Sequence, residues 1–300
     1  MDWLKDDGIF LPMINDTGRN IFYKKCIDAV AKDKVICDIG TGTGFLSVLA
    51  VDAGAKKVIT VEKDKARFEF AKSNFEKMGM LDKIEIIHDD FLNTDIDADY
   101  FVSETIGNWI FDENILGISE HCNKKKGQFI PDRFELQVVV YDIHPIFDCV
   151  QTESDAHEFQ PDIEINKQFA EIINSNFKKQ YPKQRHKSNM ICNFFQQYKK
   201  MTDLKLNEIY KSNVVTVHLN NKTYKSNYTS QPNNIKISLP KGIAEKEAQV
   251  CLFWKAKFQN NEMDILDTIW CVPSKFIHNM NQDIFLYFDK VENCWMFEYD

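Results

Sequence analysis

The chain has 300 residues, 44% hydrophobic and 27% charged, the mix of a soluble globular protein with enough length for a large core and about two domains. Its net charge of −8 argues against a general binder of polyanions and is compatible with a cationic substrate. Eight scattered cysteines without C-x-x-C pairs or Cys/His metal spacing, a start at Met1–Asp7 without a signal-peptide pattern, and no apolar run of membrane-span length lead us to expect reduced thiols and a cytoplasmic, membrane-free protein.

In chain order, apolar residues at helical spacing (Ile14, Ile21, Phe22, Ile27, Val30) predict a helical lead-in over 9–32. Lys34–Asp38 reads as a first strand and Gly44–Ala53 as its helix, broken by Gly54-Ala55. Lys57–Val61 is a second strand, Asp64–Met78 a helix closed by Gly79, Lys83–Ile87 a third strand and Tyr100–Ser103 a fourth. Such alternation predicts a parallel sheet with helices on both faces and a ligand site at the carboxyl ends of the strands. The texture changes near Gly127–Arg133. Phe134–Ile143 reads as a strand, 163–201 as an amphipathic basic helical segment, and short strands return at Val214–Leu219, Ile235–Leu239, Val250–Phe258, Ile265–Trp270, Ile284–Phe288 and Trp295–Tyr299. The second half is therefore expected to be a β-sandwich or barrel with a helical insertion.

The stretch Val35–Leu46 joins an apolar strand to a helix through Asp38-Ile39-Gly40-Thr41-Gly42-Thr43-Gly44. A strand, a glycine turn and a helix N-terminus make a nucleotide-binding edge. A P-loop would end in Gly-Lys-Ser/Thr, which is absent, and Phe45 stands where a dinucleotide fingerprint needs its third glycine. Glu62 ends the second strand, where an acid can accept both ribose hydroxyls of a nucleoside. Asp89 or Asp90 is placed to bind an adenine amino group, with Phe91 against the ring.

Downstream, Glu104 and Glu113 stand nine residues apart in a loop rich in apolar and aromatic residues. A close carboxylate pair repels itself unless a cation lies between. A guanidinium is planar and offers a fork of donors, so two glutamates can clamp one and aim a nitrogen at a methyl group.

These stretches together resemble the protein arginine methyltransferases, class I enzymes that use S-adenosyl-L-methionine. Asp38–Gly44 resembles motif I of that family, and Ser103-Glu104…Glu113 its double-glutamate loop. Met13-Ile14-Asn15-Asp16-Thr17-Gly18-Arg19 resembles the preceding helix, whose arginine (Arg19 here) holds the cofactor carboxylate. Ile130-Pro131-Asp132-Arg133 resembles the family's domain junction. The resemblance implies a Rossmann-like methyltransferase domain over 1–133, then a β-barrel domain over 134–300 with a dimerisation arm at about 160–203. It implies cofactor contacts from Met13, Arg19, Asp38, Gly40, Thr41, Gly42, Gly44, Glu62, Lys63, Asp90, Phe91 and Glu104, catalysis by Glu104 and Glu113, a protein or peptide substrate bearing arginine, and a homodimer.

Two departures stand out. The family's Thr-His-Trp loop is matched by Thr268-Ile269-Trp270, where Ile269 cannot hydrogen-bond or titrate and Trp270 keeps the acceptor-side position. A Tyr-Phe-x-x-Tyr segment over the cofactor is not evident near the N-terminus, where Trp3 and Phe10 are partial substitutes. Rival readings are a methyltransferase for another acceptor (free arginine, a small amine or nucleic acid) and a catalytically silent cofactor-binding protein. The missing Asn-Pro-Pro-aromatic motif and the acidic charge argue against nucleic acid.

Overall fold

The computed structural model describes residues 14–106, 113–141, 153–154, 163–180, 186–187, 208–211, 214–219, 234–238, 249–273, 283–289 and 294–299. Helix α1 (Thr17–Val30) starts where the Asp16 side chain accepts the Arg19 backbone N–H, and it buries Phe22, Tyr23, Cys26 and Ile27. Strands β1 (Val35–Ile39), β2 (Lys57–Glu62), β3 (Ile84–His88), β4 (Tyr100–Ser103) and β5 (Gln128–Ile130) form one parallel sheet in the order β3-β2-β1-β4-β5. Helices α2 (Phe45–Asp52), α3 (Lys65–Lys77) and α4 (Ile115–Asn123) connect them. The chain winds outward from β1 to β3, then returns to place β4 on the other side of β1. Such a reversal opens a crevice at the carboxyl ends of β1 and β4.

The predicted strands and the two helices that follow β1 and β2 fall within a few residues of the observed ones; of the lead-in expected over 9–32, residues 9–13 lie outside the described residues and α1 covers Thr17–Val30. The sequence reading placed no element at α4 or β5. The breaks at Gly54 and Gly79 are real helix ends of one kind. After α2, Gly54 N–H donates to Val51 and Ala55 N–H to Ala50; after α3, Gly79 N–H donates to Glu76 and Met80 N–H to Phe75. These paired bonds satisfy the last carbonyls of each helix.

Gly44 is the position with least room. Its φ is +90°, and a Cβ there would lie 2.6 Å from the ring of Phe75, itself fully buried. Gly44→Ala is expected to cost about 2–4 kcal/mol, from overpacking plus a left-handed backbone. The check is the urea midpoint, and an unchanged midpoint would contradict the packing described.

In the second half, β6 (Arg133–Tyr141), β7 (Glu153–Ser154), helix α5 (Lys167–Gln180), β8 (His186–Lys187), β9 (Glu208–Lys211), β10 (Val215–His218), β11 (Asn234–Ser238), β12 (Gln249–Phe258), β13 (Asn261–Pro273), β14 (Asp283–Asp289) and β15 (Cys294–Tyr299) follow. Each predicted strand has a counterpart. They pair as an antiparallel sheet β10-β6-β12-β13, with β9 also on β6, and a second sheet β11-β14-β15. Strand β9 and the short pair β7–β8 were not anticipated, and β8 falls inside the stretch 163–201 expected to be helical, where the described helix covers only Lys167–Gln180.

The first of these sheets is continuous with the core of the parallel domain. Phe134, Leu136, Trp254, Ala256 and Phe258 belong to the same buried cluster as Phe22, Ile36, Phe101 and Phe129. Tyr100 and Phe258 meet edge to face, with ring centroids 6.5 Å apart. Backbone bonds from Asp132 N to Lys257 O (2.9 Å) and from Leu219 N to Asp132 O (2.7 Å) fasten the junction. No helix among the described residues is long and apolar enough to cross a membrane.

Candidate active site

The glycine turn runs from the end of β1 into the N-terminus of α2. The Gly44 cap position makes no side-chain hydrogen bond, and the Ser47 backbone N–H in the first turn serves the Asp38 carboxylate. Gly40, Gly42 and Gly44 all have positive φ. The turn is held from beneath by threonines. Thr41 and Thr60 hydroxyls share a hydrogen bond of 2.6 Å, and Thr60 donates to the Asp38 carbonyl at 3.1 Å.

Glu62, nearly buried at the end of β2, locks the turn from the side. One carboxylate oxygen accepts Gly42 N–H at 3.0 Å and the other accepts Asp64 N–H at 2.9 Å. The sequence reading gave Glu62 to ribose alone. The structure adds that it orders the turn, and each oxygen keeps lone-pair capacity for a hydroxyl. Lys63 beside it is exposed.

Asp38 is 1% exposed. Its Oδ2 accepts the Ser47 hydroxyl at 2.6 Å, while Oδ1 has no hydrogen-bond partner. Burial pushes this carboxyl up to about 7, with help from the Glu62 charge and against the Ser47 hydrogen bond. A buried acceptor without a donor is costly. At the base of a glycine turn it is suited to a ligand that brings a donor or a positive charge. The folded state therefore binds Asp38's proton more tightly than the unfolded chain does, whose carboxyl titrates near about 4. Stability from this group is full below pH 4 and is lost as pH rises through about 7. Asp38→Asn should flatten that decline, read as urea midpoints at pH 5 and pH 8; equal slopes in both proteins would contradict it.

Arg19 crosses the site from α1. Its Nη1 donates to Glu104 Oε1 at 2.7 Å, with the two side chains 12% and 18% exposed. Burial works against the guanidinium charge, but Glu104 and Asp16 outweigh it and hold the group above its usual value. Tyr23, one helical turn further along α1, is buried and donates to the Ser103 carbonyl at 2.8 Å. The Ser103 hydroxyl reaches Ile39 O (3.3 Å) and the Thr105 hydroxyl (2.9 Å), which ties the ends of β1 and β4 together. Arg19 and Tyr23 thus grip both sides of the point where Glu104 leaves the sheet. Tyr23 was missed from sequence, although its i+4 spacing from Arg19 places it on the same helical face.

Other expected residues fall as follows. Glu113 is exposed, two residues before α4, and residues 107–112 between the two glutamates lie outside the described residues. Met13 also lies outside them. Asp90 caps a short 3₁₀ turn by accepting Leu92 N–H, and Asp89 accepts from Asp90 N–H and Asn93. Phe91 is buried, its ring edge-on to Phe101 and His121. Trp270 pairs with Leu252 along β13, next to a register shift between the Trp254 and Leu252 pairs where Thr268 and Ile269 fall. Among the described residues no cluster of His, Cys, Asp and Glu could hold a metal. Cys26, Cys37 and Cys122 are free and buried, and burial raises all three thiols, Cys26 to about 12.

Comparison with known proteins bears on this site. The family model for ribosomal protein L11 methyltransferase (PrmA) matches residues 24–130, from α1 through β5. "Probable protein arginine N-methyltransferase 6" of Arabidopsis thaliana is 33% identical over 115 residues, covering 37% of this chain and 26% of the relative. Protein arginine N-methyltransferase 1 of Saccharomyces cerevisiae is 30% identical over 141 residues, 44% of this chain and 40% of the relative. The match thus spans less than half the length of either. The crystal structure of PRMT6 with SAH shares the fold over 98% of this chain and 99% of that one, with a TM-score of 0.57 at 16% identity. Over about two fifths of its length this chain is thus similar in sequence to protein arginine N-methyltransferases, and over nearly all of it the chain shares the fold of the PRMT6 structure.

Proposed function

We propose that the chain is an S-adenosyl-L-methionine-dependent methyltransferase acting on an arginine guanidinium of a protein or peptide. The observation that carries this reading is the Arg19–Glu104 contact beside the glycine turn, which joins a cation on the cofactor side to a carboxylate on the acceptor side. The described residues fit such a cofactor. The positive-φ glycine turn suits a nucleoside at close approach, Glu62 its ribose, Asp38 Oδ1 a donor or cationic group, and Arg19 a carboxylate. When bound, the cofactor supplies an electrophilic methyl group on a sulfonium.

The chain's own part is positioning and charge. Glu104 and Glu113 accept the guanidinium hydrogens, draw positive charge away from the attacking nitrogen and hold it in line. The proton released passes to a carboxylate or to water. The PrmA match covers the cofactor-binding sheet and leaves the acceptor undecided. The two glutamates of the sequence and the similarity to arginine N-methyltransferases favour guanidine.

The sheets after residue 133 fit a β-barrel that walls the acceptor side, with the 160–203 insertion carrying a dimer contact. The described helix of that insertion turns its apolar face to its own chain, so a dimer contact through the insertion would use its other residues. Light scattering at micromolar concentration tests the dimer.

The test of function is incubation with methyl-labelled cofactor and arginine-rich peptides, then acid hydrolysis and identification of the labelled amino acid. Methylarginine supports the reading. Label in another amino acid or a small molecule redirects it, and cofactor binding without any transfer would mark a silent homologue.

A further inference from the structure

Helix α5 does more than bridge strands. It lies along α2 and α3, with Phe169 and Ile173 buried at 1% and 0% exposure. These residues are four apart and so share one helical face. The Phe169 ring sits 6.1 Å from that of Phe45, the first residue of α2 after the glycine turn. Polar contacts flank this seat. Asn166 donates to Asp52 at 3.3 Å and Gln168 donates to the Lys77 carbonyl at 2.9 Å. Asn176 donates to Asn74 Oδ1 at 3.1 Å.

The last contact leads into the site. Asn74, on α3, is fully buried, and its Nδ2 donates to the carbonyl of Thr43 at 3.3 Å. Its amide is therefore used at both ends, oxygen toward α5 and nitrogen toward the glycine turn. An amide cannot reverse one end without reversing the other. If Asn74 turned over, its oxygen would face the Thr43 oxygen.

We propose that α5 is an intramolecular strut for the cofactor turn, and that Asn176 is a positioning residue acting through Asn74 on Thr43. The proposal rests on the reading that this turn binds S-adenosyl-L-methionine. With Asn176 in place, Asn74 keeps its nitrogen on Thr43, and the turn is held in one shape between Asn74 and Glu62. Without it, the turn populates other shapes, and the cofactor must select the competent one at a loss of affinity.

The polarity of the relay makes it testable in the full-length chain. Asn176→Asp keeps size but presents oxygen to Asn74 Oδ1, which favours the reversed amide. Asn176→Ala only removes the donor. The probe is S-adenosylhomocysteine, measured by calorimetry, beside thermal melting without ligand. Asn176→Asp should weaken binding by about 5–30-fold, the scale of one buried polar contact, and Asn176→Ala by less. In turnover, the KM for S-adenosyl-L-methionine should rise while kcat stays within about twofold, the pattern of lost ground-state binding. If both variants lower the melting temperature but leave affinity alone, the helix is structural packing and the proposal falls. Wild-type affinity should not change on dilution from micromolar to nanomolar protein; a loss on dilution would assign the seat to a second copy and overturn the intramolecular strut. A wild-type chain that binds no S-adenosylhomocysteine overturns the cofactor reading and this proposal with it, whereas wild-type binding with an indifferent Asn176→Asp overturns this proposal alone.

Discussion

Glu113→Gln is expected to reduce methyl transfer to an arginine peptide by at least about 10²–10³-fold, the usual loss when one preorganised electrostatic contact to a reacting group is removed. A neutral amide still fits the space, but it no longer draws positive charge from the guanidinium, and its NH₂ meets the guanidinium donors head on. Glu113 is exposed and outside the core, so the variant should melt with the parent and bind S-adenosylhomocysteine as well. Glu104→Gln should lose transfer to the same degree by the same logic. Its amide oxygen can still accept from Arg19, so its stability loss should stay near that of one weakened charge-assisted bond, about 1–2 kcal/mol. Transfer is read with labelled cofactor under saturating peptide. Full activity in either variant would sink the two-carboxylate clamp.

How these residues come together was only partly legible in the sequence. The parallel sheet was readable because β1, β2 and β4 are short apolar runs ending in polar or glycine punctuation, and α3 has an Asp64 cap and a Gly79 stop. The element β5 was not, because three residues before a proline carry no period. Helix α4 is nine residues with a glycine inside it, which blurs any pattern. Glu62 was found because strand ends are where an acid is expected, but its bonds to Gly42 and Asp64 depend on turn geometry that no spacing encodes. The same limit hid Asn74. An asparagine within an amphipathic helix reads as an ordinary surface residue, yet this one is fully buried between a turn 31 residues before it and a helix 102 residues after it. Arg19 was identified through the family resemblance as a carboxylate ligand. Its contact with Glu104, 85 residues away, follows from how α1 lies across the end of β4.

That long-range pair carries the second large effect. Arg19→Met should destabilise the fold by about 3 kcal/mol, since removing one member of a mostly buried pair leaves the other charge without that partner. S-adenosylhomocysteine binding should fall as well, because the variant removes the cation proposed for its carboxylate. Arg19→Lys should recover only part of either, for a point charge cannot fork between two carboxylates as a planar guanidinium does. The informative variant is the double replacement Arg19→Met with Glu104→Met. Exchanging both charges for apolar groups of similar length is often neutral or stabilising, so the urea midpoint should return toward the parent's. Binding and transfer should not return. If the double variant regains stability but stays inactive, the pair is there for chemistry, and its burial is a cost the fold bears at the site. If the double variant remains as unstable as Arg19→Met alone, the ion pair instead contributes to folding beyond what apolar packing replaces, and the contact between α1 and β4 is structural first.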